Sequence, residues 1–263
     1  MRMLAALWAY RGFIFESVKR DFQGQYTNTA LGAAWTIIRP LSMVFVYTVI
    51  FSQVMQAKLP GVTSQFAYSV YLCAGVLTWG LFVDTVSKVQ NVFIEKANLL
   101  KKINFPGLCL PVILLANATV NFGIVFSLFT IFLIVTGEFP GVVYVSLIPL
   151  LLLQTAFSFG LGVTLGVLNV FFRDVGQFFT VVLQFWFWLT PVVYPLSILP
   201  LELQNVIQYN PMTMLVTCYQ QVLVSGQWPQ WQILWPVAVA AFALCAIALR
   251  LFRQHAGEMV DEL

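Results

Sequence analysis

Long apolar runs separated by short charged gaps constrain this chain before anything else does. From about Ala30 to Met55, Phe66 to Val86, Leu108 to Val135, Val142 to Phe171, Gly176 to Val193 and Ile233 to Phe252, charge is nearly absent. A helix needs about 20 predominantly apolar residues to cross the hydrocarbon core of a bilayer. Inside lipid every backbone polar group must be satisfied within the protein, so a helix is the natural form for such a run. The expected fold is therefore an all-α polytopic membrane protein of six transmembrane helices. Residues 30–252 form its membrane domain, flanked by an interfacial segment (1–29) and a polar tail (253–263). Only 9% of the 263 residues are charged and mean hydropathy is +0.87; soluble chains average roughly 25% charged. A net charge of +3 leaves no global basic field for nucleic acid.

The gaps are informative. Between about Met3 and Phe22 the pattern is helical and amphipathic. Leu4, Leu7, Trp8, Ile14, Phe15, Val18 and Phe22 share one side; Gly12, Glu16, Lys19, Arg20 and Gln23 share the other, with Arg11 at the edge. This segment is too charged to span and is expected to lie in the interface. The early charges also leave no long apolar core before a small-residue cleavage site, so no cleavable signal peptide is expected. Arg39-Pro40 lies near the start of the first run, where Arg39 can snorkel to the surface and Pro40 kinks the helix or sets its beginning. Asp84 has Lys88 one turn on as a partner. Asn117, Thr119 and Asn121 are placed to hydrogen-bond to neighbouring helices, and Gly162 and Gly166 to let another helix approach closely. The stretch Leu196–Trp228 reads as two short helices broken at Asn210-Pro211, dipping into the outer leaflet without crossing.

Charge also orients the chain. With both termini inside, Lys58 alone of the 13 Lys and Arg residues lies on the outer side. That asymmetry is the positive-inside pattern. The most charged inner stretch holds Glu95, Lys96, Lys101 and Lys102. Asn98 to Ile103 fits a short amphipathic helix on the membrane, and two readings stand by spacing alone: a positive-inside loop, or a helix that docks onto a cytoplasmic motor. A second inner turn carries Arg173 and Asp174 between two apolar runs; a charge at the bilayer centre costs at least about 2.5 kcal/mol, which puts that pair at the surface.

Catalytic signatures are missing. There is no GxxxxGK[ST] phosphate loop, no HExxH and no GxSxG. Cys73, Cys109, Cys218 and Cys245 have no metal-ligand spacing and read as small apolar filler, and His255 is the one histidine, so no metal site is expected. Intramembrane acids are too few for an ion relay. If the chain moves something uphill, another protein supplies the energy.

Three segments carry a family resemblance. They are FFRDVGQFFTVVLQFWFWLTPVVYP (Phe171–Pro195), VKRDFQGQYTNTALGAAWTIIRPLSMVFVYTVIF (Val18–Phe51) and the Asn-Pro-Met at Asn210–Met212. In this order they resemble the membrane subunits of polysaccharide-exporting ABC transporters, the ABC-2 permease class that exports O-antigen, capsule and teichoic-acid polymers. O-antigen export is the first choice by general likeness.

The resemblance implies a homodimer enclosing a continuous pore in the bacterial inner membrane. It also implies two copies of a cytoplasmic ABC subunit that bind ATP and Mg, so this chain needs no cofactor of its own. The implied cargo is a polyprenyl-diphosphate-linked glycan. ATPase coupling then falls to Glu95, Lys96, Lys101, Lys102, Arg173 and Asp174. A sliding polymer suits a passage lined by aromatics that stack on sugar faces, for which Tyr71, Trp79, Trp186, Trp188 and Tyr194 are candidates; interfacial belts and packing are the ordinary roles of such residues. Arg11, Lys19, Arg20 and Arg39 are candidates to attract the diphosphate, and orientation signals are their ordinary role. Two other classes compete: an ABC-2 permease for a small molecule or drug, and a membrane-embedded enzyme or scaffold in envelope synthesis.

Overall fold

The computed structural model describes residues 8–24, 34–50, 64, 66–102 and 106–262, and among them all regular structure is helical. Among the described residues ten α-helices follow one another: α1 (Arg11–Gly24), α2 (Trp35–Thr48), α3 (Ala67–Glu95), α4 (Ala97–Lys102), α5 (Cys109–Thr136), α6 (Leu147–Phe171), α7 (Asp174–Trp188), α8 (Leu201–Ile207), α9 (Pro211–Ser225) and α10 (Trp235–Glu262). Among the described residues four helical stretches are long and apolar enough to cross a membrane: Ala67–Glu95, Cys109–Thr136, Gly141–Phe171 and Trp235–Glu262.

Of the other two expected spans, one is described only in part and one ends early. Residues 30–33 and 51–55 of the first lie outside the described residues, as does nearly all of the loop with Lys58. Its centre, α2, begins at Trp35, so Pro40 sits inside the helix and does not set its start. The fifth span was expected to reach Val193, but α7 stops at Trp188 after 15 residues. Pro191 explains the stop. It has no N–H to give, and it disfavours helical geometry at the residue before it.

Small residues set the packing. α6 lies between α3 and α10. A Cβ on Gly160 would sit 2.7 Å from the Cys245 amide nitrogen of α10. On Gly162 it would sit 2.9 Å from Val89 Cβ of α3, and on Gly166 it would sit 2.9 Å from the Val89 carbonyl oxygen. The expected close approach at Gly162 and Gly166 is therefore present, with α3 as the partner. α3 and α5 run antiparallel: the Ser64 hydroxyl bonds to Glu138, and the rings of Phe66 and Phe132 meet edge-on at 6.3 Å. α1 lies against α5, where Asn117 donates to the Asp21 carboxylate at 3.1 Å. Thr119 bonds within its own helix, to the Leu115 carbonyl. Lys88 and Asp84 pair at 2.8 Å as their spacing predicts.

The break at Asn210-Pro211 is a helix start. Asn210 is extended (φ −70°, ψ 121°), its side chain accepts from the Met212 amide, and Pro211 opens α9. Both are standard features of a helix N-terminus. α9 is not a surface element: Met212, Leu215, Val216, Tyr219 and Val222 are all enclosed, largely against α3. The polar tail is helical as well. It continues α10 without interruption to Glu262, because Phe252 and Met259 bury themselves in an apolar cluster with Phe93, Leu108 and Val170.

Candidate functional site

The segments assigned to the inner side converge on one end of the bundle. Gly107 packs on Leu100 and Phe252, Phe171 meets His255 edge-on at 5.5 Å, and Asn169 bonds to Asn91 at 3.1 Å. This charged end carries both stretches expected to couple to a motor. α4 forms as the amphipathic pattern predicts, with Leu99 and Leu100 turned to the apolar cluster while Glu95, Lys96 and Lys101 are exposed. Arg173 and Asp174 are exposed at the tight turn between α6 and α7. Asp174 occupies the first turn of α7, where a carboxylate is favoured by the helix dipole. Lys102 closes α4 and Arg39 lies within α2; both side chains fall outside the described part of the structure.

Beneath the turn is a polar node that spacing does not announce. Asn169 is 2% exposed within α6. Its amide nitrogen donates to the Gln90 carbonyl and to Asn91 Oδ1, each at 3.1 Å, and its Oδ1 accepts from the Gly176 amide at 2.9 Å. A Cβ on Gly176 would lie 2.9 Å from that same oxygen. One motif glycine thus exists to let α7 start against Asn169.

At the opposite end, the chain leaves α7 and runs non-helically from Leu189 to Tyr194. Backbone carbonyls away from water must be matched, and every one here is. Leu189 accepts from Asn210, and Thr190 from the Val192 amide. Pro191 accepts from both the Tyr71 hydroxyl (3.0 Å) and the Gln220 amide (3.2 Å). Gln220 also reaches Val192 at 3.5 Å, while Tyr68 serves Val193 and Tyr71 serves Tyr194. A Cβ on Gly75 would lie 2.6 Å from the Val192 carbonyl, so α3 needs glycine where this turn crosses it. Asn210 does three further tasks. It caps α9, donates to Thr190, and accepts from the Trp186 indole at 2.8 Å.

The five candidate aromatics separate accordingly. Tyr71 is a clamp for the turn. Trp79 is 7% exposed and joins Phe82, Trp186 and Phe187 in a ring cluster with centroids 5.3 to 6.5 Å apart. Trp188, at 64% exposed, is open, and Tyr194 is half-buried with its hydroxyl on the Trp188 carbonyl. Of the candidate cations, Arg11 stacks on Trp8 at 5.3 Å and donates to its carbonyl, while Lys19 and Arg20 are exposed on α1. Sequence reasoning passed over Asn169, Gln90, Gln220 and Tyr68. Their one signal was a polar group standing in an apolar helix.

Comparison with known proteins agrees with this architecture. The sequence profile of the ABC-2 type transporter family matches residues 13–224. The chain belongs to the ABC-2 type transporter family. That match includes nearly all of α1 and α9, the charged turns and α7, so both polar nodes lie inside the family's own segment. The chain is also similar along its whole length, at 28% identity, to an O-antigen export system permease protein RfbA of Myxococcus xanthus, covering 100% of both proteins. Two proteins of the same description from Klebsiella pneumoniae are 27% and 25% identical, over 82% and 92% of this chain and 83% and 93% of their own lengths. As an ABC-2 permease, the chain is a multi-pass membrane protein.

Proposed function

We propose that this ABC-2 permease exports a lipid-linked polysaccharide, with O-antigen as the leading cargo. End-to-end similarity to a permease of that description, over 100% of both chains, carries the reading. The unit is a homodimer driven by two ABC ATP-binding subunits, sited in the bacterial inner membrane with both termini in the cytoplasm. The charged end of the bundle then faces the cytoplasm. α1 lies in the inner interface, and α2 and α7 complete six spans, α7 with the help of the clamped turn 189–194. α8 and α9 lie on the outer half.

In this reading the ATPase bears on Glu95, Lys96, Lys101 and Lys102 at one point and on Arg173 and Asp174 at another. Nucleotide-driven closure pushes both. Trp188 and Tyr194 present ring faces to the sliding glycan, while Tyr71, Trp79 and Trp186 fix where those rings stand. Arg11, Lys19, Arg20 and Arg39 draw in the diphosphate by charge pairing. ATP and Mg stay with the partner subunits. Depleting the protein in its host and assaying lipid-linked polysaccharide on each side of the inner membrane tests the proposal. Polymer trapped on the cytoplasmic side is the expected result; unchanged polymer on both sides contradicts it.

A further inference from the structure

Two separate segments of the charged end, α4 and the Arg173–Asp174 turn, are given to one ATPase in the reading above, on which this inference rests. They are far apart in sequence, yet Asn169 bridges the end of α3 that leads into α4 to the first turn of α7, with a longer bond from the Gln90 amide to the Gly176 carbonyl (3.5 Å) beside it. We infer that Asn169 is a positioning residue that ties the two segments into a single moving unit, so that a push on either reaches α3, α6 and α7 together.

Three observations carry this. First, α7 has no cap of its own: Arg173 makes no side-chain bond to the first turn. The early amides of a helix have no partner within it. The Gly176 amide is one of these, and it takes its acceptor from Asn169 on the preceding helix. Second, the other half of the same amide holds α3, through the Gln90 carbonyl and Asn91 Oδ1. Asn91 is fixed in turn by its bond to the Ser87 carbonyl at 3.0 Å. Asn91 lies one turn before Glu95, where α3 gives way to α4; Gly176 lies two residues after Asp174. The node is therefore adjacent to both contact segments. Third, it is closed. Asn169 and Gln90 are 2% and 1% exposed, and Gly176 leaves no room for a side chain against Asn169. Hydrogen bonds withdrawn from water in this way rigidify what they join.

The test uses the full complex with its ATPase subunits and three variants: Asn169→Ala, Asn169→Asp and Gly176→Ala. Asn169→Asp is the discriminating one. It keeps the oxygen that caps α7 and loses the N–H groups that hold α3. The readout is polymer exported per ATP hydrolysed. All three variants are expected to assemble and hydrolyse ATP, with that ratio about tenfold lower, within the usual range of coupling between sites. A residue with a merely structural role predicts that export and ATP hydrolysis fall together in Asn169→Asp, leaving the ratio at its wild-type value, and that result overturns the inference.

A second readout is independent of cargo. Hydrogen exchange on ATP binding is expected to change together in residues 90–98 and 173–180 of the wild type, and in only one of the two in Asn169→Asp. Joint change in both proteins also overturns the inference. A wild-type complex that hydrolyses ATP and exports no glycan contradicts the cargo reading instead, and leaves the exchange result to decide the role of Asn169.

Discussion

The clamped turn after α7 makes a sharp energetic prediction, because two donors share one acceptor. Tyr71→Phe keeps a ring that is 8% exposed and stacked on Tyr68 at 6.1 Å, and removes only the hydroxyl. The Tyr194 carbonyl then loses its donor, while Pro191 keeps the Gln220 amide at 3.2 Å. One net hydrogen bond is lost, about 1 kcal/mol. Gln220→Leu strips the donor from Val192 and leaves Pro191 a share of the single Tyr71 hydroxyl proton at 3.0 Å, in a three-centre bond with Tyr194, for a cost of about 1–2 kcal/mol. In the double variant the buried Pro191 carbonyl has neither donor. That adds the penalty of an orphaned buried acceptor, about 1–3 kcal/mol, beyond the sum of the single changes. Equilibrium unfolding in mixed detergent micelles, followed by tryptophan fluorescence, measures the cycle. A double variant whose cost equals the sum of the singles refutes the shared-acceptor account.

Other consequences follow from the same geometry. Gly160→Ala forces a Cβ to within 2.7 Å of α10 backbone and should destabilise the protein by about 1–3 kcal/mol, whereas Gly123→Ala in α5 meets nothing within 4 Å and should be neutral or stabilising; thermal melts of the two check this. Asn210→Ala removes the cap of α9 and the acceptor of the Trp186 indole together, for about 2–3 kcal/mol, with a shift in indole emission as the local readout. Charge reversal at Lys101, Lys102 and Arg173 is expected to abolish export while the protein stays in the membrane at wild-type amounts; full export by the triple variant would defeat the coupling assignment.

How far the chain can be read from its sequence depends on the range of the interaction. Features set within one or two turns were legible: the four long helices from their apolar runs, the Asp84–Lys88 pair from its spacing, and the start of α9 from Asn210-Pro211. The glycines of α6 announced a close approach, though not which helix approached. Features that depend on partners distant in the chain were not legible. Asn169 and Gln220 each stand in apolar helices with no local motif, and their roles follow from backbone groups 79 and 29 residues away. The tail looked like a charged end because its average is polar. Its two apolar anchors, Phe252 and Met259, act only once α3 and α6 supply a surface. The short α7 is an intermediate case. Pro191 was visible, but the side chains that satisfy five of the six carbonyls after Trp188 come from α3, α9 and the α9 cap Asn210.

The most direct test of the central claim is translocation in a defined system. The chain would be reconstituted with its ATPase subunits into sealed vesicles, ATPase outward, and loaded on that face with polyprenyl-diphosphate-linked O-antigen. The account predicts that ATP moves the glycan to the lumen, where an added glycosidase no longer reaches it, and that a non-hydrolysable analogue does not. Glycan that stays accessible while ATP is being hydrolysed, or that crosses equally well without ATP, would contradict it.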